Sequence, residues 1–341
     1  MNAMFTAGRT STQRLVDRHG RIANDLRVSL TDRCTLRCRY CMPAEGMTWL
    51  PTTAVLTDAE VTRLIELAVH RLGVTAVRFT GGEPLVRRSL EDIVQFTSSL
   101  STADDTPPDI SLTTNAVGLK HRAAGLRAAG LQRVNVSLDS LNREHFAAIA
   151  RRDRLPDVLA GLRTAREVGL DPIKINAVPQ REWYRQDAPE LLRFALRNGL
   201  QLRFIEEMPI GAPRIWDRRT IVSADDLLQA LRESGFDLTP ASGPRGTAPA
   251  ELWDVAPTGD LPAGQVGIIA SVTRPFCDAC TRTRLTADGH VRSCLFSQQE
   301  ADLLIPMRAG ATDDELATIW LDTMWRKPSA HGIDEPGFAR S

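Results

Sequence analysis

Between about residue 25 and residue 210, short apolar, β-branched runs alternate with longer runs that have apolar residues at helical spacing. The short runs predict six strands, at residues 26–30, 76–80, 110–113, 134–138, 173–178 and 202–205. The longer runs predict five helices, at residues 58–72, 89–100, 121–129, 155–168 and 189–198. Five βα units and a sixth strand, spaced roughly 30 residues apart, indicate a parallel sheet with right-handed crossovers.

Nearly every predicted strand ends in a polar residue or a glycine. These residues are Asp32, Gly81, Gly82, Glu83, Thr114, Asn115, Asp139, Ser140, Asn176, Glu206 and Glu207. In a barrel the C-terminal ends of the strands converge on one mouth, where the active site belongs. The sequence therefore predicts an α/β fold, a partial (β/α)6 TIM-type barrel over residues 25–210.

Two further regions flank the predicted barrel. Residues 1–24 form an N-terminal extension, and residues 211–341 form a C-terminal α+β extension that carries a second cysteine group. In the C-terminal region we predict a helix at 224–234, a Pro/Gly/Ala-rich connector at 241–250, short strands within 251–273 and a final helix at 313–325.

All six cysteines fall into two groups of three. The first group, in a C-x₃-C-x₂-C spacing after the first strand, is Cys34, Cys38 and Cys41. The second group, in a C-x₂-C-x₁₃-C spacing, is Cys277, Cys280 and Cys294. Thiolates select iron–sulfur clusters or zinc, and three ligands leave one position of a four-iron cluster open for a reactive ligand. Two incomplete four-iron clusters are the simplest interpretation, with structural zinc or buried structural thiols as alternatives.

Five cationic residues are candidates for binding an anion. Arg27, Arg78 and Lys174 lie inside predicted strands, and Arg282 and Arg284 directly follow Cys280. A cation buried without a partner is costly, so inward-pointing side chains would require an anionic ligand such as a triphosphate. The alternative is that each is a surface residue whose charged end reaches water.

Composition narrows the range of partners. The 341 residues carry 42 basic and 42 acidic side chains, so the net charge is zero. A neutral chain argues against nucleic acid as the main partner. No apolar run reaches membrane-spanning length, and the first 24 residues lack the apolar core of a signal peptide. With clustered thiols, this predicts a cytoplasmic protein that does not enter a membrane.

The sequence resembles the radical S-adenosylmethionine superfamily, through its C-x₃-C-x-Tyr-C motif and the downstream Gly81-Gly82-Glu83-Pro84. Within that superfamily it is similar to the GTP 3′,8-cyclase family, the molybdenum cofactor biosynthesis protein A family. The matching segments cover most of residues 15–300. They are residues 17–21, 27–34, 78–84, 113–115, 135–140, 174–176, 202–206 and 277–294, the last including Arg282-Thr283-Arg284.

The resemblance implies a lyase that converts GTP to (8S)-3′,8-cyclo-7,8-dihydroguanosine 5′-triphosphate early in molybdenum cofactor biosynthesis. It implies S-adenosylmethionine and two 4Fe-4S clusters, each held by one cysteine group. A 5′-deoxyadenosyl radical would take hydrogen from ribose C3′, and the carbon radical would attack guanine C8. Matching positions assign S-adenosylmethionine to Tyr40, Gly82, Ser137 and Met208. They assign GTP to Arg27, Arg78, Thr113, Lys174, Arg282, Thr283 and Arg284, and no side chain beyond the cluster ligands is assigned as catalytic.

The same resemblance implies an external one-electron reductant, a homodimer, and cyclic pyranopterin monophosphate synthase as the enzyme that acts next. Two other interpretations stay open at this point. One is a different radical enzyme with an auxiliary cluster, acting on a peptide or an RNA. The other is a non-catalytic zinc or iron–sulfur binding module.

The C-terminus departs from the family pattern. Chains of the family end in Gly-Gly, which reaches into the active site, whereas this sequence ends in Gly337-Phe338-Ala339-Arg340-Ser341. Glycines alone pass a narrow mouth without side-chain clashes. From the sequence we therefore expect this chain to bind its clusters and GTP but to cyclise GTP poorly.

Overall fold

The computed structural model describes residues 13–209, 216–243, 245–297 and 299–333. The strands are β1 Asp25–Ser29, β2 Ala76–Thr80, β3 Asp109–Thr114, β4 Arg133–Ser137, β5 Ile173–Ala177, β6 Gln201–Ile205, β7 Leu238–Pro240, β8 Glu251–Val255, β9 Gly264–Ile269, β10 Arg282–Leu285, β11 His290–Arg292 and β12 Ala301–Asp302. The helices are α1 Asp58–Leu72, α2 Leu90–Ser98, α3 Leu119–Ala128, α4 Arg143–Ala150, α5 Leu155–Glu167, α6 Tyr184–Asn198, α7 Ala224–Glu233, α8 Leu304–Arg308 and α9 Asp313–Trp325.

The strands form one sheet in the order β12-β11-β10-β1-β2-β3-β4-β5-β6-β9-β8-β7. Pairing is parallel from β10 through β1–β6 to β9, and antiparallel beyond those two strands. In a flat sheet β1 and β6 would lie about 24 Å apart. Arg27 of β1 and Arg203 of β6 nevertheless line the same cavity, so the sheet curls. The predicted α/β fold, a partial barrel with a C-terminal extension, is confirmed.

Local sequence explains why the helices begin and end where they do. The α1 helix starts at a capping box, in which Thr57 accepts from the Glu60 N–H and Glu60 accepts from the Thr57 N–H. It ends at Gly73, whose φ of 72° is the left-handed conformation that glycine favours at this position. One face of α1 buries Val61, Leu64 and other apolar side chains against the sheet core.

One helix prediction needs correction, and one helix was missed. The helix predicted to begin at Pro189 begins at Tyr184, with Pro189 inside its second turn. Proline is preferred at the start of a helix, but here the preceding residues already pack as a helical turn. The α4 helix was not predicted. It begins after Asn142, whose side chain accepts from the Glu144 and His145 N–H groups.

The C-terminal region joins the barrel sheet on both edges. Its β9 extends the sheet beside β6 and its β10 extends it beside β1. The α9 helix packs against α1 and against β11 and β12. The fully buried Trp320 of α9 donates from Nε1 to Thr283 Oγ1 at 2.9 Å. The predicted boundaries at residues 24/25 and 210/211 stay a prediction. The sheet has strands on both sides of the second boundary, and its first strand begins at the first.

Among the residues described, none of the helices combines the length and the apolar character that a membrane span requires. The last eight residues, 334–341, lie outside the described part of the chain. The expectation that this C-terminal sequence makes the chain cyclise GTP poorly therefore stays a prediction.

We expect Trp320→Ala to lower the free energy of unfolding by about 3–5 kcal/mol. The substitution removes a fully buried side chain and leaves the buried Thr283 hydroxyl without its donor. Urea unfolding of the apo chain measures the change. The control is Thr318→Ala on an exposed position of α9, which should change stability by less than about 0.5 kcal/mol. A loss below about 1 kcal/mol for Trp320→Ala would contradict this account of how α9 is held.

Candidate active site

The loop that carries the first cysteine group is attached to the end of β2 through backbone contacts. Gly82 N donates to Thr31 O at 2.7 Å, and Glu83 N donates to Arg33 O at 2.7 Å. A Cβ atom on Gly82 would overlap the carbonyl oxygens of Asp32 and Arg33. The glycine pair is therefore required for close backbone packing, whatever ligand it also contacts.

A buried carboxylate then orients the residues around Cys34. Glu83 accepts from Thr114 Oγ1 and from Asn115 N, both at 2.6 Å. Asn115 Nδ2 in turn donates to Thr35 Oγ1 at 3.0 Å and to Cys34 Sγ at 3.6 Å. Burial raises the pKa of Glu83 to about 7, although these hydrogen bonds favour its charged form. The C-terminal ends of β2 and β3 thus hold the cysteine loop.

Tyr40 is oriented by a second buried acid. Its hydroxyl donates to Asp139 Oδ2 at 2.9 Å, while Asp139 Oδ1 accepts from Val178 N at 2.8 Å. Burial raises the pKa of Asp139 to about 6. The Tyr40 ring is consequently fixed at the C-terminal end of β4, beside the first cysteine group.

The first cysteine group suits a metal that displaces protons. Burial raises the pKa of Cys34, Cys38 and Cys41, and each of these three thiols interacts electrostatically with another. Without a cation such thiols stay protonated, so cluster binding would release protons. Among the described residues, no three His, Cys, Asp or Glu side chains are grouped to hold a single metal ion.

The second cysteine group lines a cavity, here called the upper cavity, together with five arginines. The lining includes Cys277, Cys280, Cys294, Arg27, Arg78, Arg203, Arg282, Arg284 and Met208. Thiols and guanidinium groups therefore face one enclosed space, which fits a cluster on one side and an anion on the other.

Three of the arginines stand side by side on neighbouring strands. The sheet register places Arg284 of β10 opposite Arg27 of β1, and Arg27 opposite Arg78 of β2. We call these three residues the arginine row. Burial, followed by repulsion from Arg284 and Arg78, holds the pKa of Arg27 well below its usual value. Burial likewise lowers the pKa of Arg284 to about 10. Such a row is costly unless an anion neutralises it.

Two unpaired donor atoms, one in the row and one beside it, also indicate that an anion binds here. The buried Arg27 Nε and Arg282 Nη2 have no hydrogen-bond partner within the described residues. Buried donors are almost always paired in native proteins, so two unpaired guanidinium atoms in one cavity indicate that a ligand supplies the acceptors.

A second cavity, here called the lower cavity, lies at the N-terminal ends of the strands. It shares Arg27, Arg78, Arg203 and Arg282 with the upper cavity. Further lining comes from Lys174, Arg133 and Asp109, the last two forming an ion pair. Burial and then Arg203 lower the pKa of Lys174 to about 8. Four of the arginines thus line both cavities, whereas Lys174 lines the lower one and not the upper one.

The remaining predicted ligand residues divide between two places. Tyr40, Gly82, Thr113 and Ser137 belong to the first cysteine loop or to the C-terminal parts of β2, β3 and β4, and do not line either cavity. Thr283 points to the other face of β10, where it is fully buried against Trp320. Alternation along a strand explains this, since Arg282 and Arg284 share the cavity face.

Two residues at the site escaped the sequence reasoning. Arg203 sits between Leu202 and Phe204 in β6, the same signal that singled out Arg27 and Arg78, and could have been found that way. Lys327, after α9, contacts Cys280. No local pattern marks it, because the contact depends on the path of the chain beyond α9.

Comparisons with known proteins agree with this geometry. Residues 28–195 match the Radical SAM superfamily, and residues 200–333 match Molybdenum Cofactor Synthesis C. The crystal structure of Streptococcus suis SuiB bound to S-adenosylmethionine has a TM-score of 0.59 at 15% identity, covering 93% of this chain and 69% of that one. At that identity the likeness concerns the fold. Fold and cysteine loop together define a radical S-adenosylmethionine protein.

Much closer relatives give the family. The GTP 3′,8-cyclase of Mycolicibacterium smegmatis is 56% identical over 326 residues, covering 96% of this chain and 89% of the relative. GTP 3′,8-cyclase 2 of Mycobacterium tuberculosis is 56% identical over 328 residues, covering 96% and 90%. The chain belongs to the GTP 3′,8-cyclase family. Membership implies S-adenosylmethionine and a 4Fe-4S cluster as cofactors.

We expect Gly82→Ala to reduce the iron bound by the reconstituted chain by about four atoms, one cubane. The new methyl group must displace the backbone at Asp32 and Arg33, and the first cysteine group moves with it. The control is Gly125→Ala in α3, whose Cβ would meet the Glu91 side chain at an ordinary 3.5 Å. Iron analysis, with circular dichroism to verify folding, measures both. Unchanged iron in Gly82→Ala would show that the loop adapts.

Proposed function

We propose that the protein is a lyase that converts GTP to (8S)-3′,8-cyclo-7,8-dihydroguanosine 5′-triphosphate, an early step of molybdenum cofactor biosynthesis. One observation carries the proposal. The second cysteine group and the arginine row line the same cavity. A single ligand in this cavity would therefore reach a cluster with one end and the arginines with an anionic other end. GTP has these two ends: a base whose nitrogen and oxygen atoms can bind a metal, and a triphosphate.

Cations from five strands would bind the triphosphate. Arg27, Arg78 and Arg284 offer guanidinium groups in a row, Arg282 flanks them, and Lys174 and Arg203 extend the charge towards the lower cavity. Each charge-assisted hydrogen bond to phosphate contributes on the order of 1.5–3 kcal/mol. Binding would relieve the repulsion within the row, which supports its role as a phosphate site.

The two cysteine groups would each hold a 4Fe-4S cluster, with the second presenting its open iron to the guanine. Tyr40, Gly82, Ser137 and Met208 would bind S-adenosylmethionine beside the first. When bound, S-adenosylmethionine and the first cluster would supply a 5′-deoxyadenosyl radical to take hydrogen from ribose C3′. Bonding of C3′ to guanine C8 would leave a nucleotide radical, which would take up one electron from an external reductant and one proton. The barrel residues orient the nucleotide and exclude water from the radical.

The remaining partners belong to the same proposal. An external one-electron reductant is needed, and cyclic pyranopterin monophosphate synthase would consume the product. The Molybdenum Cofactor Synthesis C match over residues 200–333 supports that pathway. A homodimer in the cytoplasm is proposed as well. A nucleic acid is not part of the proposal, since the net charge is zero. Nor is a membrane, since no described helix is long and apolar enough to span one.

The test uses anaerobically reconstituted chain, S-adenosylmethionine, dithionite and GTP deuterated at C3′. The cyclised product has the same composition as GTP, so chromatography must precede mass detection. We expect a new nucleotide and deuterium in 5′-deoxyadenosine. Cys38→Ala should abolish cleavage of S-adenosylmethionine, whereas Cys280→Ala should retain cleavage and lose cyclisation. Cyclisation by Cys280→Ala at the wild-type rate would contradict guanine binding by the second cluster.

We expect Arg27→Met to raise the melting temperature of the apo chain and to remove at least about half of the stabilisation by GTP. The substitution relieves buried repulsion but loses a phosphate ligand. At 100 times its Kd, GTP should stabilise the wild type by about 2.7 kcal/mol, and the variant should bind roughly ten- to a hundredfold more weakly. Thermal unfolding with and without GTP measures both effects.

The exposed Arg88 provides the matched control, since Arg88→Met should alter neither quantity. Arg27 also has a 3.9 Å ion pair with Asp25, so a destabilised Arg27→Met apo chain would mean that this pair outweighs the repulsion within the row. A retained GTP effect would remove Arg27 from the phosphate site.

A further inference from the structure

The segment that follows α9 turns back over the second cysteine group. Lys327, only 3% exposed, directs its ammonium group at this loop. Its Nζ donates to Arg282 O at 2.9 Å, to Cys280 O at 3.1 Å and to Cys280 Sγ at 3.3 Å. Buried lysines are rare unless they are paired, so the contact with a cluster ligand calls for an explanation.

The three contacts specify the charged form of the side chain. An ammonium group has three donors and no acceptor, and here it meets two carbonyl oxygens and one sulfur. Cys280 Sγ is thus one of three acceptors that together satisfy the buried ammonium group.

The position of Lys327 is itself fixed by a buried ion pair. Arg21 Nε pairs with Asp17 Oδ2 at 2.6 Å, with side chains 8% and 0% exposed. The same guanidinium donates to Cys277 O at 2.8 Å, to Pro328 O at 2.5 Å and to Ser329 O at 3.0 Å. The Asp17–Arg21 segment therefore ties the chain after Lys327 to the loop that carries Cys277.

We propose that Lys327 is a positioning residue that raises the reduction potential of the second cluster by donating a hydrogen bond to Cys280 Sγ. The inference rests on the proposed function, which assigns that cluster to Cys277, Cys280 and Cys294. Reduction adds negative charge to a cluster, and both a neighbouring cation and a hydrogen bond to ligand sulfur stabilise the reduced form. Because the ammonium also binds Arg282 O, it keeps the ligand loop in place at the start of β10.

The experiment isolates the second cluster in the full chain by replacing Cys34, Cys38 and Cys41 with alanine. A redox titration followed by electron paramagnetic resonance then compares Lys327→Met with Lys327 in that background. We expect the variant's reduced-to-oxidised ratio at a fixed potential to fall about tenfold, equivalent to about 59 mV for one electron. Lys327→Arg should restore most of the potential. Lys120→Met, which removes an exposed lysine of α3, should leave it unchanged.

The outcomes separate the two proposals. If the background chain binds no four-iron cluster, the second cluster is wrong and this inference falls with it. If it binds the cluster and Lys327→Met leaves the potential unchanged, only the role of Lys327 is wrong. If Lys327→Met loses the cluster, the same titration is made on Lys327→Gln. A potential lower than that of the background chain with Lys327 would support the role, and an unchanged potential would overturn it. Loss of the cluster in Met, Gln and Arg variants alike would overturn it in favour of a steric role.

Discussion

The repulsion among buried arginines is the constraint on which the rest of the site depends. Parallel pairing of β10 with β1 and of β1 with β2 sets Arg284, Arg27 and Arg78 at one level of the sheet. Desolvation and mutual repulsion both oppose their charges, and the described residues leave Arg27 Nε and Arg282 Nη2 unpaired. A protein keeps such an arrangement when a bound anion offsets its cost, so local instability and nucleotide affinity have the same origin.

The two cysteine groups are supported by opposite means. Around the first, glycine backbone, a buried glutamate and an asparagine hold the loop, and burial keeps the thiols protonated. Around the second, Lys327 and Arg21 donate to the loop, and the nearby cations favour a thiolate at Cys280. Two clusters with different tasks would thus sit in different electrostatic surroundings within one barrel, because outer hydrogen bonds and net charge tune such centres.

The C-terminal region contributes to the barrel rather than merely following it. Its β9 and β10 pair with β6 and β1, and β10 brings Arg282 and Arg284 into the cavity that the second cysteine group also lines. Thr283, between them, faces the other way and anchors β10 to Trp320 of α9. Strand alternation therefore lets one short strand serve the ligand cavity on one face and the core on the other.

The sequence by itself determined the βα order and the two cysteine groups, because both depend on local spacing. It singled out the strand arginines as candidate anion ligands, because burying an unpaired charge is costly. It missed α4, the start of α6, the membership of Arg203 and the contact of Lys327. Only the tertiary structure decided that Arg284 stands beside Arg27, that the arginines share a cavity with the second cysteine group, and that Lys327 meets a sulfur 47 residues away. Strand register and the path of the chain beyond α9 result from the packing of distant segments, which no local pattern encodes.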